Sequence, residues 1–176
     1  MTAPARAIVL IGPMGAGKTS VGKRVARTLD VPFFDTDAAI ARAHGPIDQL
    51  FAEQGEAHFR ALERAAVVEG LATGGVVSLG GGAVLDPETQ SDLQRHRVVL
   101  LTVAPRVVAI RVRGSSRPLL RGEDDTMARW TAIYEQRRPI YERLAKASFD
   151  TSNGPLQGVV DRIVSWVHDD DHQGEA

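Results

Sequence analysis

Gly12-Pro13-Met14-Gly15-Ala16-Gly17-Lys18-Thr19 constrains the fold of this chain more than any other stretch. The octapeptide satisfies G-x-x-x-x-G-K-[ST] in full. It stands between an apolar run, Ala7 to Ile11, and a segment in which Val21, Val25 and Leu29 recur every fourth residue. Strand, glycine-rich turn and helix are therefore expected in that order. The glycines let consecutive backbone N–H groups point inward, and the positive end of the helix dipole adds to them, so the loop suits a phosphate. Lys18 then reaches the outer phosphates of a nucleotide, and the Thr19 hydroxyl is placed to ligate Mg²⁺. Gly12, Gly15, Ala16, Gly17, Lys18, Thr19 and the following Ser20 are the candidate nucleotide-binding residues, with Mg²⁺ as the implied metal.

The alternation of apolar runs with helical patterns continues along the chain and marks strand-helix-strand units feeding a parallel sheet. Five runs read as strands: Ala7 to Ile11, Val31 to Phe34, Val76 to Leu79, Val98 to Val103 and Ala147 to Asp150. A last helix follows Pro155, with Leu156, Val159, Val160, Ile163, Val164 and Val167 on one face. Two stretches break the alternation. Residues 38–72 are helical with interruptions at Gly45-Pro46 and near Gly55, which predicts a helical insertion. Residues 113–125 hold Gly, Ser, Pro and charge without periodicity, which predicts a lid. The expected unit spans residues 1–168, and the acidic residues 169–176 read as a solvated, disordered tail.

Asp35-Thr36-Asp37 follows the second predicted strand. In an extended chain residues two apart face the same way, so both carboxylates can look into one cleft, one toward Mg²⁺ and one toward an acceptor hydroxyl. Helix capping is the plainer alternative. Arg60 and Glu63 share a helix face, ordinarily as a surface ion pair. Gly80-Gly81-Gly82 is expected where a ligand approaches the main chain, or else is a flexible turn. Arg117 falls in the predicted lid, and Arg137-Arg138-Pro139 interrupts a helix. Arginine in a lid can stabilise a transferring phosphoryl group.

Composition removes other classes. There is no cysteine, hence no disulfide, thiolate nucleophile or cysteine-held zinc. The five histidines show no ligand spacing. The longest nearly apolar stretch, Val98 to Ala104, has seven residues against the roughly 20 a bilayer crossing needs, so no membrane is involved. No signal-peptide core precedes the first glycines, which places the protein in the cytoplasm. Ten of the 21 Lys and Arg lie between Arg106 and Lys146. With only two Trp, two Tyr and five Phe for stacking, that cluster suits a small anion rather than nucleic acid.

Taken together, GPMGAGKT, the DTD of Asp35 to Asp37, FRALE at Phe59 to Glu63, the GGG of Gly80 to Gly82, RPLL at Arg117 to Leu120 and RRPIY at Arg137 to Tyr141 resemble shikimate kinase in order and spacing. The resemblance implies ATP-dependent phosphorylation of the 3-hydroxyl of shikimate, and a monomer is expected. It also implies an α/β fold of the nucleoside-monophosphate-kinase type: a five-stranded parallel sheet flanked by helices, a substrate-binding insertion and a lid. Position by position, Asp37, Arg60, Gly81 and Arg137 match shikimate-binding residues, with Gly82 beside them and the two arginines on the carboxylate. Asp35 matches the acid near magnesium, Arg117 the lid arginine that reaches ATP, and Arg111 and Pro155 the residues flanking adenine. Lys18, Asp37 and Arg117 are thereby the catalytic candidates. A kinase of another hydroxy acid, such as gluconate, is the alternative on the same scaffold.

Overall fold

Every residue of the strand Ile8–Ile11, β1, is buried. Successive side chains of a strand face opposite ways, so β1 must be covered on both sides. The computed structural model describes residues 5–111 and 126–174 and shows what covers it. Four further parallel strands, β2 (Phe33–Asp35), β3 (Val76–Ser78), β4 (Arg97–Thr102) and β5 (Ala147–Asp150), form one sheet with it in the order β2-β3-β1-β4-β5. The helices are α1 (Lys18–Leu29), α2 (Thr36–His44), α3 (Ile47–Ala72), α4 (Pro87–Leu93), α5 (Pro105–Arg111), α6 (Thr126–Leu144) and α7 (Leu156–Gly174), with a turn of 3-10 helix at Ala83–Leu85. All five expected strands are present, each within two residues of its predicted bounds at either end.

Alternate residues of β1 and β4 feed separate cores. Ile8, Leu10, Val99 and Leu101 pack with Val21 and Val25 of α1 and with Val159, Val160 and Ile163 of α7. Val9, Ile11, Val98 and Leu100 pack on the other face with Val67 and Leu71 of α3 and Leu93 of α4. The predicted insertion is α2 and α3, parted at Gly45-Pro46 and kinked at Gly55, where φ is 82° and ψ is 170°. It has a small core of its own in Ile40, Leu50, Phe59 and Ala66.

Two expectations are corrected. Pro139 does not interrupt α6, which runs through it. Proline removes one N–H, but Pro139 is exposed, so water can serve the carbonyl it releases while the opposite face stays buried. The acidic segment is largely exposed, as expected, but over its described part it is not a disordered tail: α7 continues to Gly174, and Asp170 and Asp171 pair with Arg97 at the start of β4. Asp170 also meets Arg6, at 3.3 Å. The predicted lid lies outside the described residues.

Candidate active site

The carboxyl ends of β1, β2 and β3 open onto a cavity of about 640 Å³. Gly15, Gly17, Lys18, Thr19, Ser20, Asp35, Asp37, Arg60, Gly81, Gly82, Arg111 and Arg137 all line it. Gly12 and Ala16 lie outside that lining, as does Pro155, which is exposed just ahead of α7. Arg117 lies outside the described residues.

Gly12, Gly15 and Gly17 have φ of 141°, 84° and 88°, the region that favours glycine. At Gly12 space is decisive as well, since a Cβ would stand 2.3 Å from the Leu101 carbonyl oxygen on β4. The loop's outward carbonyls are held by side chains from elsewhere. Trp130 Nε1 donates to the Met14 oxygen at 2.8 Å, Arg111 to the Gly15 oxygen at 2.9 Å, and Thr151 Oγ1 to the Ala16 oxygen at 2.8 Å. Lys18 Nζ donates to the carbonyls of Gly12 and Pro13, at 2.8 and 3.1 Å, and so lies over the loop.

Asp35 and Asp37 reach the cavity by a route other than the one expected. They do not share an extended segment: Asp35 ends β2, while Asp37 stands in the first turn of α2. Asp35 both caps and contacts the loop, one oxygen accepting from the Ala38 N–H at 3.0 Å and the other from Thr19 Oγ1 at 2.6 Å. Thr19 and Asp35, the two predicted metal-site residues, are thus in contact.

Arg60 and Glu63 are not a surface pair. Glu63 is 3% exposed, and its carboxylate accepts from Arg60 at 2.7 Å, while a second nitrogen of Arg60 donates to Glu56 at 3.2 Å. Burial pushes the Glu63 carboxyl above the ordinary range; Arg60 and Arg137 pull it down, and Asp37 pushes it up. Burial works against the charge on Arg60, but Glu63 and Glu56 outweigh it and hold its pKa above the ordinary value. Glu63 is the residue that sequence reasoning left out of the site. The signal was present, because Phe59, Glu63, Ala66, Val67 and Gly70 form the buried stripe of α3. The triglycine turn is also explained differently. A Cβ on Gly80 would lie 2.7 Å from both Asp37 Oδ1 and Glu63 Oε1, and one on Gly82 would lie 2.4 Å from Arg60. Side chains of the site, rather than a ligand alone, press on this turn.

Arg137 is 5% exposed, and its Nε has no hydrogen-bond partner. A buried donor without an acceptor is costly, and a guanidinium in that state invites an anion. Beside it, Tyr141 donates its hydroxyl to the Gly81 carbonyl. Burial pushes the Tyr141 pKa up to about 12, against the pull of Arg137.

A phosphate loop lining one cavity with a carboxylate and two arginines, on a parallel sheet of this order, defines a P-loop kinase of a small molecule. Comparison with known proteins narrows the class. The model of the shikimate kinase family matches residues 14–168, and the chain belongs to that family. A shikimate kinase of Thermobifida fusca is 49% identical over 147 residues, 82% of this chain and 84% of that one. A shikimate kinase from Acinetobacter baumannii, solved in complex with shikimate, superposes with a TM-score of 0.88 at 31% identity over 94% of each chain. A gluconokinase from Sinorhizobium meliloti reaches a TM-score of 0.56 at 19% identity over 92% of this chain and 90% of that one, a likeness of fold alone. The gluconate alternative gains nothing from it.

Proposed function

We propose that this chain transfers the γ-phosphoryl group of ATP to the 3-hydroxyl of shikimate, giving shikimate 3-phosphate and ADP. The observation that carries the reading is the buried Arg137, its Nε unpartnered, in the same cavity as the glycine-rich loop, Asp37 and Arg60. That combination supports one cavity holding a nucleotide and an anionic acceptor side by side.

The backbone of residues 12–19 and Lys18 bind the phosphates, and Lys18 supplies charge where charge develops in transfer. Arg60 and Arg137 take the acceptor carboxylate, for which the planar guanidinium is the fitting cation. Asp37 accepts a hydrogen bond from the acceptor hydroxyl. A carboxylate is a weak base toward an alcohol, so Asp37 takes the proton late, as a loose transition state allows. The new oxygen–phosphorus bond forms as the bond to ADP breaks, and the proton stays on Asp37. The Thr19 hydroxyl and the Asp35 carboxylate are hard oxygen donors in contact, a set that fits Mg²⁺. When bound, that ion neutralises charge on the β- and γ-phosphates.

Action as a monomer belongs to the same proposal, and no described helix is long and apolar enough to cross a membrane. Work in the cytoplasm, where ATP is supplied, is part of the same proposal. Coupled ADP release tests it across shikimate, quinate and gluconate at matched concentrations. Turnover should require shikimate; equal or greater turnover with gluconate overturns the substrate assignment.

A further inference from the structure

One face of α6 carries Trp130, Tyr134, Arg137 and Tyr141, spaced by four, three and four residues. Trp130 and Tyr141 are each 1% exposed. Their rings are joined in series through Tyr134. Trp130 and Tyr134 stack at 5.2 Å between centroids and Tyr134 and Tyr141 at 6.5 Å, both pairs inclined by 28°. Each end of the series carries one polar tip that reaches the backbone of a different loop, and the Tyr141 hydroxyl also meets Arg137. Trp130 holds the Met14 carbonyl in the phosphate loop, and Tyr141 holds the Gly81 carbonyl in the triglycine turn. Tyr134, between them, packs against the cores on both faces of the sheet. None of the three rings lines the cavity.

Two glycine-rich loops that must stand at a set separation have little stiffness of their own. Phosphoryl transfer is catalysed chiefly by positioning, and a displacement of about 1 Å can cost on the order of a hundredfold in rate. We propose that Trp130, Tyr134 and Tyr141 form a brace along α6 that fixes the phosphate loop relative to the triglycine turn, which makes them positioning residues for transfer between nucleotide and acceptor. The inference rests on the reading of the cavity as an ATP site beside a shikimate site. Because Arg137 projects from the same face, between Tyr134 and Tyr141, the helix that ties the loops also carries an acceptor cation. Burial keeps the Tyr141 hydroxyl protonated far above neutral pH, so it remains a donor to Gly81 under all working conditions.

The test is whether damage at one end of the brace is felt at the other. In the full chain, ADP and shikimate affinities are measured separately by calorimetry for Trp130→Phe, Tyr141→Phe, their double variant, and Tyr134→Leu. Val164→Ala, a partly buried α7 residue packed in the same core as Trp130, is the control for general loosening. Trp130→Phe should weaken shikimate as well as ADP by about 2- to 10-fold, and Tyr141→Phe should weaken ADP as well as shikimate by a similar factor. Tyr134→Leu removes no hydrogen bond to either loop and should still weaken both. The double variant should lose less than the product of the single losses, because each single change already breaks the brace. Should Trp130→Phe fail to fold, Tyr134→Leu and Tyr141→Phe decide by the same pattern. Effects confined to the adjacent ligand, a multiplicative double variant, or equal weakening in Val164→Ala overturn the brace. Wild-type protein without shikimate-dependent ADP release overturns the proposed function and the brace together, whereas wild-type turnover without cross-site effects overturns the brace alone.

Discussion

On the proposed mechanism Asp35 and Asp37, two residues apart, do different work, and the difference is measurable. Asp35 touches Thr19 and caps α2, whereas Asp37 lies over Gly80 on the acceptor side. Asp37→Asn should lower kcat by about 10² to 10⁴, the range for loss of a general base, with ATP binding retained. Asp35→Asn keeps a capping oxygen and should instead raise the Mg²⁺ requirement. A Mg²⁺ titration of both at saturating shikimate separates them, and rescue of Asp37→Asn by excess Mg²⁺ reverses the assignment. Lys18→Met should fold, since its ammonium contacts only polar groups among its identified partners, and kcat should fall by a hundredfold or more. Arg137→Lys keeps the charge and loses the planar fork, so calorimetry should show shikimate binding weaker by about 1 to 3 kcal/mol. That these residues gather at one cavity was legible in sequence from the order of the motifs, although the two carboxylates reach it from a strand end and a helix turn rather than from one extended segment. For Glu63 the helical stripe signalled burial, but that the stripe faces Asp37 and Gly80 is set by the tertiary structure.

At the level of elements, the apolar runs were legible and the departures came where burial overrode local chemistry. β1 and β4 are apolar on both faces, so each is a continuous run that a reader of sequence can find. α6 reads as broken at Pro139 because local chemistry favours a break, but burial of Trp130, Arg137 and Tyr141 holds the helix together. The junction of β1 and α4 offers a pH test. The Ala7 N–H donates to His96 Nδ1 at 3.0 Å, which only an unprotonated nitrogen can accept. Burial, reinforced by Arg95, holds the His96 pKa below its ordinary 6.5. The unfolded chain therefore binds the proton first, so this stabilisation is whole above pH 6.5 and is lost as pH falls through the folded value. Melting temperatures of wild type and His96→Asn, taken from pH 8 to 5, should diverge on that side. Wild type should fall more steeply, because the asparagine oxygen accepts at every pH; parallel curves would remove the role.

The molecule as a whole separates chemistry from closure. Its cavity sits at the carboxyl ends of the strands, while Arg6, Arg97, Asp170 and Asp171 meet at the amino ends. Nothing local in the acidic segment foretold this pairing, since Arg97 is 73 residues from Asp170. Partly exposed ion pairs contribute up to about 1 kcal/mol, so Asp170→Asn with Asp171→Asn should lower Tm by about 2 to 4 °C. The deficit should shrink in 1 M salt, where the Debye length is about 3 Å. Loss of kcat beyond the loss of folded protein would show that this end of the sheet communicates with the cavity. The contact between Arg6 and Asp170 brings the first and last described stretches side by side, on the side away from the cavity. A tether attached at either stretch would hold the enzyme to a solid support with its cavity facing the solution, so immobilised protein should turn over at the rate of free protein.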